Sequence, residues 1–282
     1  MLYGFLNIYK EKGMTSFDVI RELRKKFNIK KIGHTGTLDP LAEGVLIVAV
    51  GEATKLIEFM MNDEKDYSAR IVLGKKSDTF DAEGKIEDVS TQKPTFDEIQ
   101  EVVESFIGEI EQIPPKYSAL KIQGKKAYEM ARNGEEFEMK SRKILIKNIA
   151  IISYTYPELE FDVSCGSGTY IRSLANDIGE KLQTGAYLKN LKRTKVGNFI
   201  VKDSIKLDDV SEKDLIPLEA VTLKYKCIEI SESELEKLNL GQFIKRDDAQ
   251  HDIVCAFYNN KLVGIIEKTK NGMYKYKKKL NI

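Results

Sequence analysis

Among 282 residues, the stretch with most chemical promise is Gly33-His34-Thr35-Gly36-Thr37-Leu38-Asp39-Pro40-Leu41-Ala42-Glu43-Gly44. Glycines at 33, 36 and 44 admit backbone conformations closed to other residues, and Pro40 pushes Asp39 towards extended geometry, out of any helix interior. Two compatible readings follow for Asp39. It can be the N-cap of a single helical turn with Pro40 at the first position and Gly44 ending it. It can equally be a carboxylate presented by a loop on a rigid scaffold, where catalytic groups concentrate. His34, five residues earlier, adds an imidazole suited to acid/base work or to a structural hydrogen bond. No serine or cysteine stands beside the pair, which excludes a hydrolase triad. Gly166-Ser167-Gly168 opens like a dinucleotide fingerprint but has Ile171 where the third glycine belongs, and no Gly-Lys-Ser/Thr loop occurs, so no nucleotide cofactor is expected.

The elements that must position this loop read as follows. Tyr3 to Ile8 predicts a short strand. Thr15 and Asp18 form a capping-box pair ahead of Phe17, Val19, Ile20, Leu23 and Phe27, which predicts a helix from about Ser16 to Phe27. Val45 to Val50 is a continuous apolar run, the pattern of a buried strand, and Tyr67 to Leu73 alternates like a half-buried one. Thr95 and Glu98 open an amphipathic helix with Ile99, Val102, Val103 and Phe106 on one side. Lys143 to Tyr156 and Glu158 to Cys165 predict strands, and Tyr170 to Leu182 returns to helical spacing. The class is α+β. Beyond the turn-rich 203–214, the chain from about Leu223 predicts a second, small β-rich domain with one short helix and three short strands.

Composition narrows the function classes. With 42% hydrophobic residues the chain can bury a sizeable core. No apolar run approaches the ~20 residues that cross a bilayer and no signal-peptide pattern opens the chain, so the cytoplasm and no membrane association are expected. Three scattered cysteines and two histidines give neither a disulfide framework nor a zinc cluster, and no metal is expected. The 45 basic and 44 acidic side chains nearly cancel, but their distribution is uneven. Lys189 to Lys202 holds Lys189, Lys192, Arg193, Lys195 and Lys202 without an acid, and Lys268 to Lys279 holds six lysines with Tyr274 and Tyr276, again without an acid. Each run can be a solvated surface or can face phosphates.

The Gly33–Gly44 segment resembles the catalytic motif of the bacterial TruB-type pseudouridine synthases, G-H-x-G-T-L-D-P-x-A-x-G. Three further blocks agree: Lys65-Asp66-Tyr67 with Leu73-Gly74 and Ser77 to Asp81; Gln112 to Lys121 with Gly124, Tyr128, Ala131 and Arg132; and Gly168 to Leu174 with Gly185-Ala186 and Leu191-Lys192-Arg193-Thr194. The resemblance covers residues 3 to about 220. It implies a mixed, mainly antiparallel sheet flanked by helices over 1–222, with an RNA-gripping insertion at about 112–141. It further implies a PUA-like RNA-binding domain over 223–282, a weaker likeness.

Carried over position by position, the resemblance makes Asp39 the carboxylate acting while the uracil–ribose bond breaks. Attack on the sugar, attack on the base and removal of a sugar proton all remain open. Tyr67 would lie against the uracil as a candidate acceptor of the C5 proton, and Arg172 would pair with Asp39 and keep it ionised. Without the resemblance, Arg172 reads as a helix-surface ion pair and Tyr67 as a half-buried aromatic. His34, Lys65, Tyr170, Leu191, Lys192 and Arg193 would bind substrate. Two departures stand out: Gly166-Ser167 replaces a frequent Ser-Lys, and Gln183 stands where glycine is usual. The implied activity is isomerisation of a uridine in the tRNA T-loop, at tRNA position 55, without a cofactor. The partner is the T-arm of tRNA, with no obligate protein partner and a monomeric chain. A non-catalytic tRNA-binding or tRNA-folding protein of the same fold is the alternative. A guide-RNA-dependent isomerase related to dyskerin is disfavoured by the Tyr117–Arg132 insertion.

Overall fold

The computed structural model describes residues 2–281; Met1 and Ile282, the outermost residues of the two expected domains, lie outside the described residues. Strand β1 (Gly4–Lys10) leads into helix α1 (Ser16–Phe27). The Thr15 side chain accepts from Asp18 N, and Asp18 accepts from Thr15 N at 2.8 Å. Such caps stabilise a helix by about 1 kcal/mol. Asn28 ends α1 in the left-handed region at φ 52.

Strand β2 (Ala42–Val50) shows why an uninterrupted apolar run was needed. Leu46, Val48 and Val50 pack with Leu6, Ile8 and the α1 residues Val19, Ile20 and Leu23. Val45, Ile47 and Ala49 point the other way, into a cluster with Phe5, Cys255, Leu262, Ile265 and Leu280. A strand covered on both faces cannot alternate with polar residues.

The other long strands of the ten-stranded sheet are β3 (Lys65–Leu73), β4 (Gly108–Gln112), β5 (Arg142–Thr155), β6 (Glu158–Cys165) and β7 (Ala186–Val196), and two short strands, Ile32–His34 on β2 and Phe199–Ile200 on β7, lie off the main path. From the edge strand Ile205–Lys206, the order runs β1, β2, β7, β3, β6, β5, β4. Only β2 with β7 and the edge strand with β1 are parallel pairs along this path. Helices α2 (Phe96–Glu104) and α3 (Ile171–Lys181) cover one face through Ile99, Val103, Ile171, Leu174 and Ile178. Thr95 and Glu98 make the expected capping box.

The C-terminal segment forms its own sheet from Lys226–Glu229, Ile253–Tyr258, Lys261–Lys268 and Tyr274–Lys279, with a helix over Glu232–Asn239. That is four strands where three were expected. The second lysine-rich run largely forms the last of them: Tyr274 is buried, and Lys275 and Lys277 both pair with Glu267.

Candidate active site

Asp39 sits between a short strand over Ile32–His34 and β2. The helical-turn reading does not hold: Ala42 N donates to Asp39 O at 3.1 Å, closing a turn with no helix around it. Both neighbours of Asp39 are pinned. Ser16 Oγ donates to Leu38 O at 3.0 Å and accepts from Leu38 N at 2.8 Å, and Gly13 N donates to Pro40 O at 2.8 Å. A carboxylate flanked by two anchored peptides points in one direction, the preorganisation that a reacting group requires.

Arg172, in the first turn of α3, faces that carboxylate. Its Nε lies 2.9 Å from Asp39 Oδ2 and its Nη1 3.2 Å from Asp81 Oδ2. Nη2 donates to Tyr117 O at 2.9 Å. Asp81 is fixed in turn, its Oδ1 accepting from Thr79 Oγ1 at 2.6 Å and Glu83 N at 3.0 Å. The Arg172 and Asp81 side chains are 6% and 3% exposed, whereas Asp39 keeps 32%. Only the Asp39 carboxylate can meet a substrate.

Arg172 is expected to keep Asp39 ionised and to fix its direction. Burial raises the Asp39 carboxyl above its ordinary value, outweighing Arg172 and Lys10, which oppose the rise, while Asp81 adds to it. A hemmed-in carboxylate with one open side loses hydration faster than a single guanidinium, shared with Asp81, can compensate. Lys10, buried and donating to Ala42 O at 2.6 Å, is lowered to about 8 chiefly by burial.

Tyr67 lies in the core cluster that also holds Leu38, Leu41 and Leu191. Burial raises its phenol, with Arg193 partly opposing, so the resting side chain is neutral. His34 is half-buried, its Nδ1 without a hydrogen-bond partner among the described residues; burial first and Arg193 second lower its pKa, leaving a neutral imidazole. The Tyr170 ring lies under the Arg142 guanidinium, 4.7 Å to the ring centroid. Lys192 is half-buried over the ring of Tyr9, 5.7 Å to its centroid.

Two expected substrate cations are otherwise engaged. Lys65 is buried and donates to Met61 O at 3.1 Å and Asp63 O at 2.6 Å, its ammonium lowered to about 8 by burial. Arg193, expected to face a phosphate, is 2% exposed and donates to Val45 O, Thr37 O and Gly36 O at 2.7, 3.3 and 3.1 Å. It shares a strand face with Leu191, and a period of two sends both inward. An arginine in an inward position was the signal available in the sequence.

Asp81 and Gln112 had no assigned role. Gln112, fully buried, donates to Tyr170 O at 3.1 Å and accepts from Tyr170 N at 2.9 Å.

Comparison with known proteins matches residues 24–171 to the family model described as TruB family pseudouridylate synthase, N-terminal domain, and residues 172–222 to that of the tRNA pseudouridylate synthase B C-terminal domain. The tRNA pseudouridine synthase B of Clostridium tetani is 44% identical over 279 residues, covering 95% of this chain and 96% of that protein. The Clostridium acetobutylicum protein of the same name is 50% identical over 226 residues, covering 80% and 78%. Among solved structures, a chain of a Cbf5–Nop10–Gar1 complex aligns with a TM-score of 0.74 at 26% identity, covering 99% of this chain and 85% of that one.

Proposed function

Since the chain belongs to the TruB family of pseudouridylate synthases, we propose that it isomerises uridine to pseudouridine in tRNA, at position 55 of the T-loop, with Asp39 as the reacting carboxylate. The observation that carries this reading is the Asp39–Arg172–Asp81 chain, in which one carboxylate is open to a ligand while its partners are closed off. The reaction breaks the bond from uracil N1 to the ribose, turns the base and rejoins it through C5, so atoms balance without a co-reactant. A carboxylate whose pKa is raised by burial is, once ionised, a stronger base and nucleophile than an exposed one.

Extruding the target base costs a few kcal/mol of stacking, and groups must replace it. Tyr170 and Leu191 supply apolar surface, and the half-buried His34 ring stands ready to contact the extruded nucleotide. A buried, neutral Tyr67 can stack on the uracil; for it to accept the C5 proton, its own proton has to be passed on.

The 112–141 insertion is read as the grip on the T-arm, and the four-stranded C-terminal sheet as a PUA-like RNA-binding domain. We read the chain as a cytoplasmic monomer; that it acts without a guide RNA is supported by the 44–50% identity to proteins named tRNA pseudouridine synthase B, against 26% for the Cbf5 chain.

The test is Asp39→Asn on an unmodified tRNA transcript, read by nucleoside mass analysis after labelling pseudouridine. The variant keeps size and hydrogen bonding but loses the charge and the reacting oxygen. Wild type should form pseudouridine, and the variant should bind the transcript equally and form none. Multiple turnover by the variant would refute the role of Asp39.

A further inference from the structure

Among the described residues, Arg193 is the largest fully buried side chain and has no acidic partner within 4 Å. A guanidinium buried without a carboxylate is costly, and an apolar replacement of similar volume is often tolerated in such places. Its three hydrogen bonds all go to backbone carbonyls, and their positions are not scattered. Gly36 and Thr37 precede Asp39, and Val45 follows it. One planar group thus ties both ends of the segment that carries the carboxylate.

The surroundings leave this arrangement no slack. Arg193 is the register partner of Gly44 on β2 and of Tyr67 on β3. Gly44 has φ +106, and a Cβ there would meet Arg193 O at 2.2 Å, so β2 and β7 approach as closely as glycine alone permits. Directly after Arg193 the β7–β3 register shifts, with Lys195 opposite Asp66. Bulges of this kind re-aim side chains next to active sites.

We propose that Arg193 is a positioning residue for the isomerisation: its guanidinium clamps the Gly36–Val45 segment so that Asp39 meets the substrate in one orientation, and its charge sets the electrostatics of the pocket beside Tyr67 and His34. This rests on the function assigned above. Lysine cannot substitute fully, because a single ammonium lacks the fixed fork that reaches carbonyls on both sides of the segment. The charge acts on the groups around it. After burial, Arg193 is the next cause lowering His34 and Lys65, and it opposes the burial that raises Tyr67.

The experiment compares the wild type with Arg193→Met and Arg193→Lys, using single-turnover conversion of a tRNA transcript, transcript Kd, and NMR titration of histidine. The chain has only two histidines, His34 and His251, so the two titrations are separable. Arg193→Met should lose on the order of 100-fold in conversion rate, the usual consequence of roughly 1 Å of misplacement, with Kd nearly unchanged. Its His34 should titrate at higher pH than in the wild type. Arg193→Lys should keep the wild-type His34 titration and recover only part of the rate. A purely structural role would not move His34 in one variant and spare it in the other. Wild-type rates in Arg193→Met would overturn the proposal, as would a loss confined to Kd, which would return Arg193 to phosphate binding. Should Arg193→Met not fold, hydrogen exchange at Arg193 Nε–H in the wild type decides: slow exchange supports the clamp and free exchange refutes it. A wild type that makes no pseudouridine, yet shows slow Nε–H exchange and a low His34 pKa, would sink the assigned function and leave the clamp standing.

Discussion

The Arg172 guanidinium stands 2.9 Å from Asp39 and, through a different nitrogen, 3.2 Å from Asp81. One side chain therefore carries orientation from a closed carboxylate to an open one, and adds a third tie to the Tyr117 carbonyl of the insertion. A point charge cannot serve three directions at once. Arg172→Lys is expected to lower the single-turnover rate by on the order of 100-fold while the Kd for tRNA changes little. A parallel loss of Kd and rate would mean that Arg172 serves binding instead.

Asp39 titrates upward from the ordinary aspartate value, with burial as the main cause and Asp81 adding to it. If the ionised carboxylate reacts, the rate must fall with decreasing pH, and it must begin to fall above the range of an exposed aspartate. The stability sign is opposite to that of a paired surface acid. A raised folded pKa favours the folded state below the unfolded value, and that gain is lost as pH rises through the folded one. Asp81→Asn removes a cause of the rise, so it should move the acid limb of single-turnover rate to lower pH. An unmoved or higher limb contradicts this.

Glu52 behaves in the other direction. Its nearly buried carboxylate accepts from Lys31 at 2.8 Å, Lys55 at 2.7 Å and Asn281 N at 2.9 Å, fastening the C-terminal strand's end to the catalytic sheet. Burial alone would raise it, but these contacts together lower it to about 2. A depressed folded pKa gives stability that is present above the unfolded value and lost as pH falls towards about 2. Urea unfolding should show Glu52→Gln less stable than wild type by about 2 kcal/mol at pH 7, after allowing for solvent around the two lysines. The difference should shrink between pH 4.5 and the acid limit. A gap that does not depend on pH would mean packing, not charge, is responsible.

Gln183 occupies the left-handed position at φ 57 after α3. Gln183 N donates to Glu180 O and Thr184 N to Gly179 O, both at 3.0 Å, the pairing of a Schellman cap that favours glycine. Gln183→Gly should therefore stabilise the protein by roughly 0.5–1 kcal/mol, the left-handed cost less the entropy of glycine. A lower urea midpoint would show that the Gln183 side chain contributes more than its backbone costs.

What the sequence disclosed and what it hid separate by distance along the chain. The capping boxes at Thr15 and Thr95, the both-faces-buried β2 and the Asp39 loop were legible because their signals are local. Asp81 was not, because its meaning depends on Arg172, 91 residues later by the numbering, arriving 3.2 Å away. Arg193 was misread as a phosphate contact because a cluster of cations looks the same whether it lines a surface or alternates between surface and core. A register shift earlier in β7, between Leu188 and Asn190, further obscures which residues point inward. The fourth C-terminal strand escaped because short strands carry little periodicity.

Gln112 provides a last expectation, which links the insertion to the pocket. It closes β4, and its register partner Arg142 opens β5, so the two residues are the stems between which residues 113–141 depart. Both stems hold the same segment: Gln112 exchanges two hydrogen bonds with the Tyr170 backbone, while Arg142 donates to Gly168 O and lies over the Tyr170 ring. Tyr170 is also the N-cap of α3, and its own side chain makes no cap. Gln112→Leu preserves approximate bulk but leaves Tyr170 N–H without its acceptor, at about 1–3 kcal/mol; Tyr170 O still accepts from Leu174 N at 3.1 Å. The local consequence is a looser start to α3, and α3 carries Arg172. The variant should therefore unfold at lower urea concentration, expose the insertion to faster limited proteolysis, and convert tRNA more slowly even under conditions where it is fully folded. If proteolysis accelerates but single-turnover conversion is unchanged, the insertion root and the Asp39–Arg172 pair are mechanically independent, and the coupling inferred from Gln112 fails.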